Sequence, residues 1–141
     1  MGARHSGREA ALQMLFQIEA SGATVDQVSA LFWRNFEADV EGREYANEAI
    51  VGVHDNVAAL DKAISSASSH WRIERMAAVD RNILRLGAWE LLHRNDVPRA
   101  VILDEAIELA KSYGTAESSA FVNGVLNTIA ETTGRKDTDR S

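Results

Sequence analysis

The 141-residue chain contains no cysteine and a single proline, Pro98. Without thiols there is neither a disulfide framework nor a thiolate metal site, which fits a cytoplasmic address. One proline leaves long, unbroken helices open over most of the chain. No apolar run approaches the roughly 20 residues of a membrane span, and the first twenty residues are too polar and charged for a signal peptide. The glycines are scattered singly, so neither a P-loop nor a Rossmann fingerprint can be assembled. His5, His54, His70 and His93 lack metal-ligand spacing. No alternating strand pattern, internal repeat or long linker is present. Enzymatic activity, cofactors and metals are therefore not expected.

What is present is ordinary globular chemistry, with 45% hydrophobic and 26% charged residues. The length suits one domain with one real core. A net charge of −6 argues against a basic surface that binds RNA unaided. The charge is, however, unevenly spread. Arg4, His5 and Arg8 precede any acid, Glu37 to Glu48 is an acidic block, and Arg72 to Arg99 carries six arginines. A solvated mixed surface accounts for such blocks as well as a local binding edge does.

Helical spacing of apolar residues predicts six helical stretches. The first covers 6–20, with Leu12, Leu15 and Phe16 on one stripe, and stops at Ser21-Gly22. Thr24 caps a second, whose face is Val25, Val28, Leu31, Phe32 and Phe36. A long third runs from Gly42 through Tyr45, Ala49, Val53, Val57 and Leu60 to Ile64, fraying in the serines at 65–69. The fourth, 77–94, is apolar around much of its girth and so belongs at the centre of its domain. Pro98 opens the fifth, which ends at Gly114 as a left-handed C′ residue. Thr115 caps the sixth, where Asn123-Gly124 permits close approach of a neighbouring helix. The expected architecture is all-α, a single compact bundle of about six to seven helices in two packed layers. The domain spans 1–134, followed by a polar, disordered tail over 135–141.

Few residues are candidates for chemistry. Asp104 and Glu108 share a helix face with Lys111, an arrangement that a solvated face explains. Arg4 and Arg8, four apart, form a two-pronged cationic edge that can reach phosphates if the helix starts early. A frayed terminus is the alternative, and positive charge there opposes the helix macrodipole. Tyr113 and Phe121 flank the Gly114–Thr115 turn, where aromatics either stack on unpaired bases or belong to the core.

Three segments, in order, resemble the NusB family of transcription antitermination factors: residues 8–16 (REAALQMLF), 79–92 (VDRNILRLGAWELL) and 97–126 (VPRAVILDEAIELAKSYGTAESSAFVNGVL). The last is the most specific. The resemblance implies a helical bundle without enzymatic activity. It further implies binding to single-stranded boxA RNA of nascent ribosomal RNA transcripts together with ribosomal protein NusE, and help to RNA polymerase in the elongation complex in reading through terminators. A partner that shares the RNA contacts gives the negative net charge a place. By position, the resemblance implies RNA-binding roles for Arg4, Arg8, Tyr113, Thr115, Glu117 and Phe121. Phe16 and Asp80 fall at positions linked to the partner or RNA surface. His5, Ser6 and Gly7 stand where the family often carries more arginines, which implies weak RNA affinity without NusE. The competing expectation is a helical protein-interaction module, or a homodimer, without direct RNA contact.

Overall fold

In a computed structural model describing residues 2–69 and 71–135, the chain forms α-helices and one short 3-10 turn, with no strand among the described residues. The all-α expectation holds. Among the described residues the seven helices are α1 (Ala3–Ser21), α2 (Val25–Asn35), α3 (Val40–Asp55), α4 (Val57–Ala67), α5 (Ala78–His93), α6 (Arg99–Tyr113) and α7 (Ser118–Thr132). They divide between two compact units, α1–α3 and α4–α7, with the division after Asp55. No helix is long and apolar enough to cross a membrane, among the described residues.

In the first unit α1 packs chiefly on α3. It starts at Ala3, three residues earlier than the spacing predicts, and so includes Arg4. It stops at Gly22, whose φ of 73° lies in the left-handed region that glycine adopts without a Cβ penalty. Thr24 then caps α2 reciprocally with Gln27. The Gln27 amide donates to Thr24 Oγ1 (3.1 Å) and the Thr24 amide to Gln27 Oε1 (3.0 Å). Gly7 and Gly42 set the α1–α3 crossing. A Cβ on Gly7 would sit 2.6 Å from the Gly42 carbonyl oxygen. The helix propensity lost at Gly7 is thus the cost of bringing two backbones together.

The long third helix expected from 42 to 64 is two helices. Asn56, at φ −118° and ψ 16°, interrupts it, and α4 begins with the Leu60 amide donating to the Asn56 carbonyl. Apolar spacing continues in phase across this break, so periodicity alone could not show it. In the second unit α5 contacts α4, α6 and α7, and is buried over most of its girth as its composition predicts. Arg85 on α5 forks onto Asp61 on α4 with two bonds of 2.8 and 2.9 Å. The serine-rich end of α4 is anchored at Ser68, which is buried and whose hydroxyl donates to the Trp71 carbonyl (3.2 Å).

Gly114 is not left-handed. Its φ of −101° and ψ of −162° are extended. Glycine is required for space instead, because a Cβ would collide with the Ser118 side chain and lie 2.9 Å from the Ala110 carbonyl oxygen. Thr115 does not cap α7 with its hydroxyl. Its amide donates to Ser118 Oγ (2.9 Å), while its hydroxyl reaches Glu117 and Ser118 side chains at 3.3 Å each. Gly124 faces open space rather than a neighbouring helix.

Arg99 at the start of α6 gathers the end of α7. It donates to Asn127 Oδ1 (2.6 Å), Glu131 Oε2 (3.0 Å) and the Arg135 carbonyl (2.7 Å). Arg135, first residue of the expected tail, donates back to the carbonyls of Leu91 (2.8 Å) and Val97. The remainder of that tail, 136–141, lies outside the described residues, as does His70.

Candidate nucleic-acid interface

The Gly7–Gly42 crossing carries a consequence one turn further along α3. Tyr45 is brought beneath the first two turns of α1, where it is buried. The guanidinium carbons of Arg4 and Arg8 stand 4.9 and 5.3 Å from its ring centroid. Both cations lie over the ring, where its quadrupole attracts them. The structure therefore brings Arg4 and Arg8 together, but not as equals. Arg8 is only 4% exposed, whereas Arg4 is half-buried and retains a path to solvent.

Phe16, further along α1, is 42% exposed and lines a groove of about 420 Å3 with Ala20, Val28 and Leu31. Leu31, expected on the buried face of α2, is 59% exposed. The C-terminal half of α1 and the adjacent face of α2 thus present apolar surface where the periodicity predicted core.

A second constellation forms in the other unit. Trp71, Arg75, Met76, Ala77, Asp80, Glu117 and Phe121 line a pocket of about 350 Å3. Arg81 donates to the carbonyls of Ile73 (3.2 Å) and Met76 (2.7 Å), fixing the 3-10 turn Ile73–Arg75 against α5. The Trp71 amide bonds the Ser68 carbonyl (2.9 Å), and its ring meets Phe121 edge-on at 5.9 Å and 71°. Trp71 is 58% exposed and Phe121 half-buried, so neither ring is core. Asp80, in the first turn of α5, has a buried Oδ1 with no hydrogen-bond partner. A buried acceptor left without a donor costs about 1–3 kcal/mol. On the same 3-10 turn, Glu74 is held below the usual carboxylate range. Its own backbone amide contributes most, Arg72 and Arg75 add to it, and partial desolvation opposes them.

Of the residues singled out in the sequence, Asp80, Glu117 and Phe121 share this one pocket. Tyr113, exposed at the end of α6, and Thr115, exposed in the following turn, lie outside its lining. Among the described residues, no three His, Asp or Glu side chains are grouped as a metal ion would need.

The NusB family model matches residues 5–131, a span that crosses both units. The chain belongs to the NusB family. It is 65% identical over 140 residues to the transcription antitermination protein NusB of Sorangium cellulosum (strain So ce56), covering 99% of this chain and 100% of that one. The solved structure of T. maritima NusB superposes with a TM-score of 0.81 at 37% identity, over 91% of this chain and 90% of that one. A crystal structure of the antitermination factors NusB and NusE in complex with dsRNA matches with a TM-score of 0.83 at 25% identity, covering 92% and 97%.

Of the three NusB-like segments, 8–16 lies in α1, 79–92 in α5, and 97–126 takes in α6, its turn and most of α7. Sequence reasoning missed Tyr45, Trp71 and Arg75. Tyr45 sits at helical spacing like any core residue, and its two cations come from a distant segment. Trp71 and Arg75 carried a usable signal, an aromatic among arginines in a stretch with no helical stripe.

Proposed function

We infer that this chain is a transcription antitermination factor that acts without catalysis in the cytoplasm. It binds boxA-type single-stranded RNA of nascent ribosomal RNA transcripts jointly with NusE, and helps RNA polymerase read through terminators. The observation that carries this reading is the end-to-end match to an antitermination protein at 65% identity. The solved relative with NusE and RNA supports the two partners. Physical features agree with it. Arg4 supplies a partly exposed cation, the Trp71–Phe121 rings supply aromatic surface, and neither makes an acidic chain a strong RNA binder alone. Domain 1–134 is read as one functional unit, with Arg4, Arg8, Tyr113, Thr115, Glu117 and Phe121 toward RNA and Phe16 and Asp80 toward the partner or RNA.

Binding to boxA and to scrambled single-stranded RNA, with and without NusE at fixed salt, tests the reading. Preference for boxA in the presence of NusE is expected. No preference in either condition would remove it.

A second reading, a helical interaction module or homodimer without RNA contact, is favoured by the exposed Phe16–Leu31 groove. Light scattering beside the same titration separates the two, since a tight dimer indifferent to RNA supports only the second.

A further inference from the structure

Both arginines of the N-terminal edge converge on one buried ring, that of Tyr45. Tyr45 stands on α3 just beyond the Gly7–Gly42 crossing, where the backbones of α1 and α3 meet. The guanidinium carbon of half-buried Arg4 lies 4.9 Å from the ring centroid, and that of buried Arg8 lies at 5.3 Å. An aliphatic side chain could fill the same helix contact, but it would attract neither cation. A carboxylate would attract both and offset the charge that a phosphate needs. The first turn of α1 carries no acid. A ring restrains a guanidinium through its quadrupole, leaves the charge whole and spends none of its N–H donors.

We propose that Tyr45 is a positioning residue for RNA binding, whose ring holds Arg4 in place for a phosphate of the single strand. The proposal rests on the RNA-binding reading above and adds the residue that fixes where its cationic edge stands. Tyr45 is 4% exposed, too little to stack on a base, so it acts through another side chain. Arg8 is equally buried, which leaves Arg4 as the one of the two with a route to solvent. The gain is preorganisation. An arginine already ordered on a ring loses less freedom when it closes on a phosphate than one that swings in water. A phosphate contact also releases counterions, so the contribution of Tyr45 must carry the salt dependence of Arg4. A residue that only fills the α1–α3 contact would carry none.

The experiment titrates the whole chain with NusE against boxA-type single-stranded RNA over a series of salt concentrations. Tyr45→Leu is expected to lose about fivefold in affinity, the size of one partly exposed cation–π contact, and to flatten the salt slope as Arg4→Ala does. Tyr45→Phe, which keeps the ring, should restore both. In an Arg4→Ala background Tyr45→Leu should cost little more, because the side chain it positions is gone. Progressively fluorinated phenylalanines at position 45 drain the quadrupole at nearly constant shape, and affinity should fall in step. This series decides the matter even where Tyr45→Leu fails to fold, with circular dichroism and NusE capture without RNA reporting folding. The proposal is overturned if boxA is preferred yet the folded variants bind RNA as tightly as the parent, which makes Tyr45 an ordinary core residue and leaves the antitermination reading standing. It is also overturned if the Tyr45 and Arg4 losses multiply, since the ring then acts independently of that cation. Absence of any boxA preference in the parent complex would sink both.

Discussion

Gly7 of α1 and Gly42 of α3 lie backbone against backbone: a Cβ on the first would be 2.6 Å from the carbonyl oxygen of the second, and a Cβ on Gly42 would be 2.5 Å from the Ala3 carbonyl oxygen. Both obstacles are main chain and cannot swing aside. The pair therefore sets the distance between two helices, and through it the placement of Tyr45 under Arg4 and Arg8. A structural detail with no side chain of its own thus determines where cationic side chains stand.

Gly42→Ala and Gly7→Ala should each destabilise the fold. Alanine gains up to about 1 kcal/mol in helix propensity, but forcing helices apart costs about 1–3 kcal/mol. A net loss in urea unfolding is expected, with Gly42→Ala also weakening RNA binding by displacing Tyr45. A variant as stable as the parent would mean that the crossing has slack.

Arg4 and Arg8 should separate in experiment although they share a ring. Arg4 retains access to solvent, so Arg4→Ala should weaken RNA binding across sequences and reduce the salt slope by about 1. Arg8 is buried over Tyr45. Its removal leaves the ring partly uncovered, and Arg8→Ala should lower the unfolding midpoint. An unchanged salt slope in Arg4→Ala would clear that residue of phosphate contact.

The end of the described chain should contribute measurably to stability. Arg135 donates to the Leu91 and Val97 carbonyls, and its own carbonyl accepts from buried Arg99. Arg135→Ala removes two charge-assisted bonds, worth about 1–2 kcal/mol together after exposure to water is allowed for. A lower Tm with unaltered RNA binding is the expected pair of results. If Tm stays constant, the clasp is decorative.

The parts of this fold that were legible in the sequence are those governed by neighbours a few residues apart. Thr24, Gly22 and Pro98 end or begin helices through local geometry, and each does so in the structure. The girth of apolar residues on α5 likewise predicts its central place in its unit. Distance along the chain is what hid the rest. Asn56 breaks a helix without disturbing the phase of its apolar stripe. Gly7 reads as a poor helix residue until Gly42 is seen against it. At the candidate site Phe121 is legible as an aromatic beside the turn, whereas Glu117 and Asp80 are identified through resemblance alone. Their meeting in one pocket, with Trp71 as the missing wall, depends on a turn held by Arg81, and no spacing rule encodes that.

Gly114 allows two explanations of one glycine to be told apart. A left-handed C′ residue accepts asparagine more readily than alanine, because the demand is on φ. Here φ is −101°, and the demand is for room beside Ser118 and the Ala110 carbonyl. Gly114→Asn should therefore cost as much as Gly114→Ala or more, about 1–3 kcal/mol for each by the cost of overpacking. Ser118→Gly should recover part of the loss in Gly114→Ala, although it removes the acceptor for the Thr115 amide. A double-mutant cycle in urea measures the coupling, which is expected to be favourable because the obstacle is the Ser118 side chain itself. If Gly114→Asn is tolerated while Gly114→Ala is not, backbone conformation would be the constraint after all, and the turn between α6 and α7 would need a different geometry from the one described.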